Sequence, residues 1–167
     1  YGYDHKYTYS HIGYNLKVSD MQAAVGLSQL NKLEKFIAKR RSNFSGLTNR
    51  LLKEGLDKYF ILPKATPGTK PSWFGYLLIL RDGLNITRRE LTEELEKRKV
   101  GSRLLFAGNL TKQPAFKDTN YRVSGNLKNT DKIMASSFWI GVWPGLTENH
   151  LDYMVDTIKK ILIDRKV

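Results

Sequence analysis

Cysteine is absent from the 167 residues, which excludes disulfides and thiolate metal sites built from this chain alone. Histidine is scarce. His5, His11 and His150 have no second histidine or carboxylate at ligand spacing apart from Asp4 beside His5, so no metal site is expected. No apolar run approaches the roughly 20 residues needed to span a bilayer, and no membrane association is expected. The opening Tyr-Gly-Tyr-Asp-His-Lys carries neither an initiator Met nor a charged-then-apolar signal. The expectation is a piece of a longer, cytoplasmic protein. A glycine-rich phosphate loop is also missing, as is any nucleophile-and-base arrangement. Ser10 and His11 are adjacent, but no elbow motif surrounds them, and Glu93 with Glu94 reads as a solvated helix face.

What is present is an ordinary globular composition, 41% hydrophobic and 26% charged, in a chain long enough to bury a core. The net charge is +12, from 28 basic and 16 acidic residues, which favours anionic partners. The basic residues are scattered, as in Lys35, Lys39, Arg40 and Arg41, with no dense tail and no nucleic-acid-binding signature. A stand-alone module for nucleic acid or acidic protein is therefore the distant alternative, and most of these cations are expected to solvate helix faces.

Apolar periodicity and helix-start signals give the elements. Ser19 with Gln22 forms a capping box, and Ala23, Leu27, Leu30, Leu33, Ile37, Phe44, Leu47 and Leu51 make one stripe on a helix reaching about Glu54. Gly55 ends it. Strands are expected over 73–80, 100–106 and 138–142. Thr87 with Glu90 caps a helix ending near Lys99, with Ile86 and Leu91 as its hydrophobic staple. Thr130 is expected to cap a short helix. Thr147 opens the last one, whose core face is Leu151, Met154, Val155, Ile158 and Leu162. Between Gly108 and about Asn129 a loop is expected. The alternation predicts a mixed α/β domain around a small sheet.

The stretch His11-Ile-Gly-Tyr-Asn-Leu-Lys-Val-Ser-Asp-Met-Gln-Ala-Ala-Val-Gly-Leu-Ser-Gln-Leu30 resembles the G-Y-N-x-R/K-x-x-D-x-Q-A-A-x-G-x-x-Q-L signature of the pyridoxal phosphate-dependent sugar aminotransferase family. Leu146-Thr-Glu-Asn-His-Leu-Asp-Tyr resembles that family's closing helix. The resemblance implies the carboxy-terminal small domain of a fold type I enzyme. Residues 1–18 would be a loop carrying the Gly-Tyr-Asn motif, 19–55 a long interdomain helix, and 56–167 the small α/β domain.

Several stretches are similar to the family's 3-dehydrases, which remove the C3 hydroxyl of CDP-4-keto-6-deoxyglucose in 3,6-dideoxyhexose and O-antigen biosynthesis. They include Pro71-Ser-Trp-Phe-Gly75, Arg103-Leu-Leu-Phe-Ala-Gly-Asn109 and Phe138-Trp-Ile-Gly-Val-Trp-Pro-Gly-Leu146. Aminotransferase members typically carry His where this chain has Phe74. The alternative is a nucleotide-sugar aminotransferase of the perosamine synthase kind.

For such a dehydrase the resemblance implies pyridoxamine or pyridoxal phosphate, a catalytic His in place of the family's cofactor-binding Lys, a [2Fe-2S] cluster and a reductase partner. The base and the cluster cysteines are expected upstream of Tyr1, so this chain alone is expected to be inactive. In a homodimer, Asn15 of the motif would reach the cofactor phosphate of the other subunit, with Lys17 a weaker candidate because it lacks the arginine fork. Phe74, Arg103, Asn109 and Lys132 are the candidates for the CDP-linked keto-sugar. Of these, Arg103 suits the diphosphate.

Overall fold

A computed structural model describes residues 13, 14, 16–116 and 118–167. By its contacts the chain falls into two compact units, residues 1–34 and 35–167. Helix α1, Asp20–Lys53, carries the boundary within it. Its start follows the expected capping box: the Ser19 amide donates to Gln22 Oε1 at 2.9 Å, and the Gln22 amide to Ser19 Oγ at 3.4 Å. In the first unit the stripe residues Leu27, Leu30 and Leu33 are exposed. In the second, Phe44, Leu47 and Leu51 continue the same stripe and are buried.

The second unit is built on a four-stranded sheet of order β1-β2-β4-β3. Its strands are β1 Phe60–Ile61, β2 Gly75–Leu80, β3 Ser102–Leu104 and β4 Ser137–Gly141, all paired antiparallel. Helix α2, Arg88–Lys97, links β2 to β3; α3, Lys128–Ser136, leads into β4; and α4, Glu148–Asp164, closes the chain. The inward face of the sheet, Tyr76, Leu78, Leu80, Phe138 and Ile140, joins α1, α2 and α4 in one core. Every residue of the expected α4 core face is buried.

Local chemistry sets the ends. Thr87 accepts the Glu90 amide while Glu90 accepts the Thr87 amide at 2.9 Å, and the staple pair Ile86 and Leu91 is buried. The Thr147 amide donates to His150 Nδ1 at 3.1 Å at the start of α4. Arg50 ties α1 to α4, meeting Glu148 at 2.9 Å and Asp152 at 2.6 Å.

Four expectations change. The strand β1 went unseen because two residues are too few to show alternation. The strand expected over 100–106 shrinks to Ser102–Leu104, because Phe106 turns into the left-handed region at φ 46°. Thr130 is not the cap of α3: the helix starts earlier, at Lys128, whose amide is taken by Asn126 Oδ1 at 3.1 Å. The loop after Gly108 contains two 3-10 turns, Leu110–Lys112 and Pro114–Phe116.

Candidate functional site

The side chains that the core does not take collect on the opposite face of the sheet. Strand alternation and register put Leu77 of β2, Trp139 of β4 and Arg103 of β3 in one row. In the next row Gly75 pairs with Gly141, so no side chain stands there. A Cβ on Gly75 would lie 3.2 Å from the Ile140 carbonyl oxygen and 3.3 Å from the Trp139 ring, which already leans over the gap. Phe74 flanks the indole with ring centroids 5.0 Å apart, and Phe106 meets it edge-on at 5.2 Å. Both phenylalanines stand out in solvent, Phe74 at 71% exposure and Phe106 at 79%. Phe74, Gly75, Arg103, Trp139 and Gly141 line a cleft of about 420 Å³.

This face is held from behind. Arg40 Nη1 donates to the carbonyls of Trp73 at 3.1 Å and Phe74 at 3.3 Å. Arg41 donates to the carbonyls of Pro71 at 3.1 Å and Lys70. Glu96 accepts both the amide of Ser102, at 2.5 Å, and its hydroxyl, at 3.1 Å, which fixes the entry to β3 just before Arg103. The loop bearing Phe106 is pinned by Asn109, 3% exposed. Asn109 Oδ1 accepts the Thr111 amide at 3.0 Å, and Nδ2 donates to Asp131 at 2.6 Å. Lys112 meets the same Asp131 oxygen at 2.9 Å. These two donors, Asn109 first, lower the Asp131 carboxyl below its ordinary pKa, so it stays an anion that locks the loop.

Of the residues expected from sequence, Phe74 and Arg103 come together at this cleft. Asn109 does not line it, and its amide is engaged internally by Asp131 and Thr111. Lys132 pairs with Asp82 at 2.5 Å, so its ammonium is already matched by a carboxylate. Lys17 is exposed in the first unit, and Asn15 lies outside the described residues. Sequence reasoning missed Trp139, Phe106, Arg40, Arg41 and Glu96. Alternation along Phe138-Trp-Ile-Gly141 was enough to place Trp139 on the face opposite Phe138 and Ile140; Arg40 and Arg41 carried no local signal beyond their charge.

Residues 1–159 match the model of the DegT/DnrJ/EryC1/StrS aminotransferase family. The chain belongs to this family. Among DegT/DnrJ/EryC1/StrS relatives, the lipopolysaccharide biosynthesis protein RfbH of Salmonella typhimurium is 52% identical over 95% of this chain and 36% of its own length. The dTDP-4-dehydro-2,6-dideoxy-D-glucose 3-dehydratase of Saccharopolyspora spinosa is 46% identical over 96% of the chain and 34% of its own. The chain thus spans about a third of the curated relatives it matches. A solved structure of the E. coli GDP-4-keto-6-deoxy-D-mannose-3-dehydratase with bound hydrated PLP superposes with a TM-score of 0.78 at 25% identity, over 91% of this chain and 38% of that one. An aminotransferase from Psychrobacter cryohalolentis shares the fold at a TM-score of 0.80 and 21% identity, over 100% of this chain and 45% of that one.

The family fold implies pyridoxal or pyridoxamine phosphate, whose phosphate needs several converging donors. Among the described residues of the open face, Arg103 is the one cation lining the cleft, and the Ser102 hydroxyl is given to Glu96. The face fits a flat, partly apolar ligand with one anionic group; it does not by itself enclose the cofactor. An iron–sulfur cluster finds no thiolate here, since the chain has no cysteine.

Proposed function

We propose that this chain is the small-domain part of a pyridoxamine phosphate-dependent nucleotide-sugar 3-dehydrase, acting on CDP-4-keto-6-deoxyglucose in 3,6-dideoxyhexose and O-antigen biosynthesis. The observation that carries this reading is near-full-chain likeness, at 52% and 46% identity, to a lipopolysaccharide biosynthesis protein and a sugar 3-dehydratase. The geometry supports it through a cleft that joins aromatic surface to a single guanidinium, the combination a sugar diphosphate needs.

The bound cofactor supplies the amine and the electron sink that let the C3 hydroxyl leave. This chain's residues bind and orient. Arg103 takes the diphosphate, and Phe74 packs against the sugar and narrows the access of water. Asn109 acts indirectly, holding the loop that bears Phe106. Lys132 stays with Asp82 as an outer cation. In a homodimer Asn15 donates its amide N–H to the phosphate of the partner subunit's cofactor, with Lys17 adding positive charge nearby. The catalytic base, the cysteines of a [2Fe-2S] cluster and the docking surface for a reductase belong to the rest of the enzyme, which works in the cytoplasm.

Borohydride reduction of the full-length protein after incubation with pyridoxal phosphate tests this reading. Cofactor that binds but is never trapped on lysine, in a preparation that also contains iron and acid-labile sulfide, is the expected result. A stoichiometric lysine adduct would replace it with an aminotransferase.

A further inference from the structure

We infer that Trp139 is a stacking platform for the hexose ring of a nucleotide sugar, completed by Phe106 and Phe74, and that it discriminates the sugar from the bare nucleoside diphosphate. The inference rests on the proposed nucleotide-sugar reading and adds a residue and a division of labour to it.

Four observations converge. First, Trp139 lies on the sheet face away from the core, so its ring is not spent on folding. Second, the Gly75–Gly141 pair beside it leaves backbone with no side chain, and even a single Cβ at Gly75 would press on the indole. Glycine at 75 lets the indole lie close over the backbone, and the open space is at Gly141, where a Cβ would meet nothing within 4 Å. Third, Phe106 is a bulky non-glycine residue held at φ 46° while 79% exposed. Left-handed backbone costs such a residue about 1–2 kcal/mol, and exposure returns no burial energy. The Phe106 amide donates to the Leu104 carbonyl at 2.8 Å, the part-buried Asn109–Asp131 pair pins the loop beyond it, and in this conformation the Phe106 ring meets Trp139 edge to face at 5.2 Å. Fourth, Arg103 stands directly opposite Trp139 in the β3–β4 register, one strand away.

Aromatic faces carry negative charge density and attract the C–H bonds of a pyranose face, while offering nothing to a hydroxyl. Polar partners in the cleft are few: Ser102 gives its amide and its hydroxyl to Glu96 Oε1, which leaves the other carboxylate oxygen as the one acidic group in the lining. A ring that presents C–H bonds, as a deoxygenated hexose does on more of its surface, therefore fits Trp139 better than a fully hydroxylated one. Neighbouring strands lie about 4.8 Å apart, so a group seated on Trp139 has its anionic substituent within reach of Arg103. Sugar over Trp139 and diphosphate at Arg103 is the arrangement this spacing allows.

The test measures affinities of the full-length protein by calorimetry for CDP-, dTDP- and GDP-glucose and for the matching diphosphates. These probes have no ketone and do not react. For the nucleotide that wild type holds tightest, Trp139→Ala should weaken the sugar-linked form about 10-fold and leave the diphosphate within about 2-fold. Trp139→Phe should recover most of the loss, and both variants should match wild type in circular dichroism. Equal losses for sugar-linked and bare forms would assign the platform to the nucleotide and overturn the inference. So would no loss at all, or a wild type that gains nothing from the sugar. An enzyme that aminates the sugar while keeping this affinity pattern would refute the dehydrase reading and leave the stacking role standing.

Discussion

Trp73 lies flat on Phe44, with ring centroids 3.9 Å apart and planes 4° from parallel. Phe44 belongs to α1 and to the core, whereas Trp73 immediately precedes the exposed Phe74. The stack, with Arg40 on the carbonyls of both Trp73 and Phe74, transmits the position of a core helix to the edge of the open cleft.

Replacing Trp73 by Ala should therefore cost stability and site geometry together. A loss of about 2–4 kcal/mol is expected in urea unfolding, toward the low end for a large aromatic because Trp73 is only half-buried. Phe74→Ala should change stability by no more than about 0.5 kcal/mol. In the full-length enzyme it should raise KM for the nucleotide sugar about 10-fold. Comparing the two unfolding midpoints checks the separation of roles.

Asn43 gives a second prediction. It is fully buried on α1, and its Nδ2 donates to the carbonyl of Trp143 at 2.7 Å, which anchors the turn between β4 and α4. Asn43→Ala removes this tie between α1 and the turn, while the Trp143 carbonyl keeps the Leu146 amide at 3.0 Å. The expected destabilisation is that of one lost hydrogen bond, about 1 kcal/mol, visible as a lower thermal midpoint.

The clamp below Phe106 makes a third. Asn109→Ala removes the donor to Asp131 and the acceptor of the Thr111 amide in one change. The segment from 106 to 116 should then open locally more often, with faster proteolytic cutting there and little change in the cutting of α4. Equal acceleration in both places would mean that Asn109 supports the whole fold rather than this loop.

Acid sensitivity follows from Glu94. Hydrogen bonds and charge from Lys97 and Arg98 hold its carboxyl down at about 2, from an ordinary 4.5. A depressed folded-state pKa means stability that is fully present above about 4.5 and lost as pH falls through that window toward about 2. Asp152 beside Arg50, Glu54 beside Lys159 and Asp131 are lowered in the same direction and add to the slope. Glu94→Gln should flatten the decline of the unfolding midpoint between pH 4.5 and 2. An unchanged slope would show that Glu94 contributes nothing to it.

The parts of the fold with periodic burial were legible in the chain. The helix of Leu151, Met154, Val155, Ile158 and Leu162 sits where its 3.6-residue spacing put it, and Thr87 with Glu90 closed the capping box their spacing required. Short pieces held by long-range pairing were not. Phe60–Ile61 is a strand only because Leu80 and Ile79 stand opposite it, and no local signal encodes a partner twenty residues away. At the candidate site the same division holds. Phe74 and Arg103 were named from motif-like stretches, but the arginines that hold the Phe74 loop looked like ordinary surface charge. Lys132 and Asn109 were polar groups of the right type whose partners, Asp82 and Asp131, are set by the fold rather than by neighbouring sequence.

The most direct test of the central claim supplies the full-length protein with pyridoxamine phosphate, a chemical two-electron donor in place of the reductase, and CDP-4-keto-6-deoxyglucose, and follows the sugar nucleotide by mass spectrometry. The account predicts a product that has lost the C3 oxygen and gained no nitrogen. A product in which the 4-keto oxygen is replaced by an amino group, with C3 intact, would contradict it.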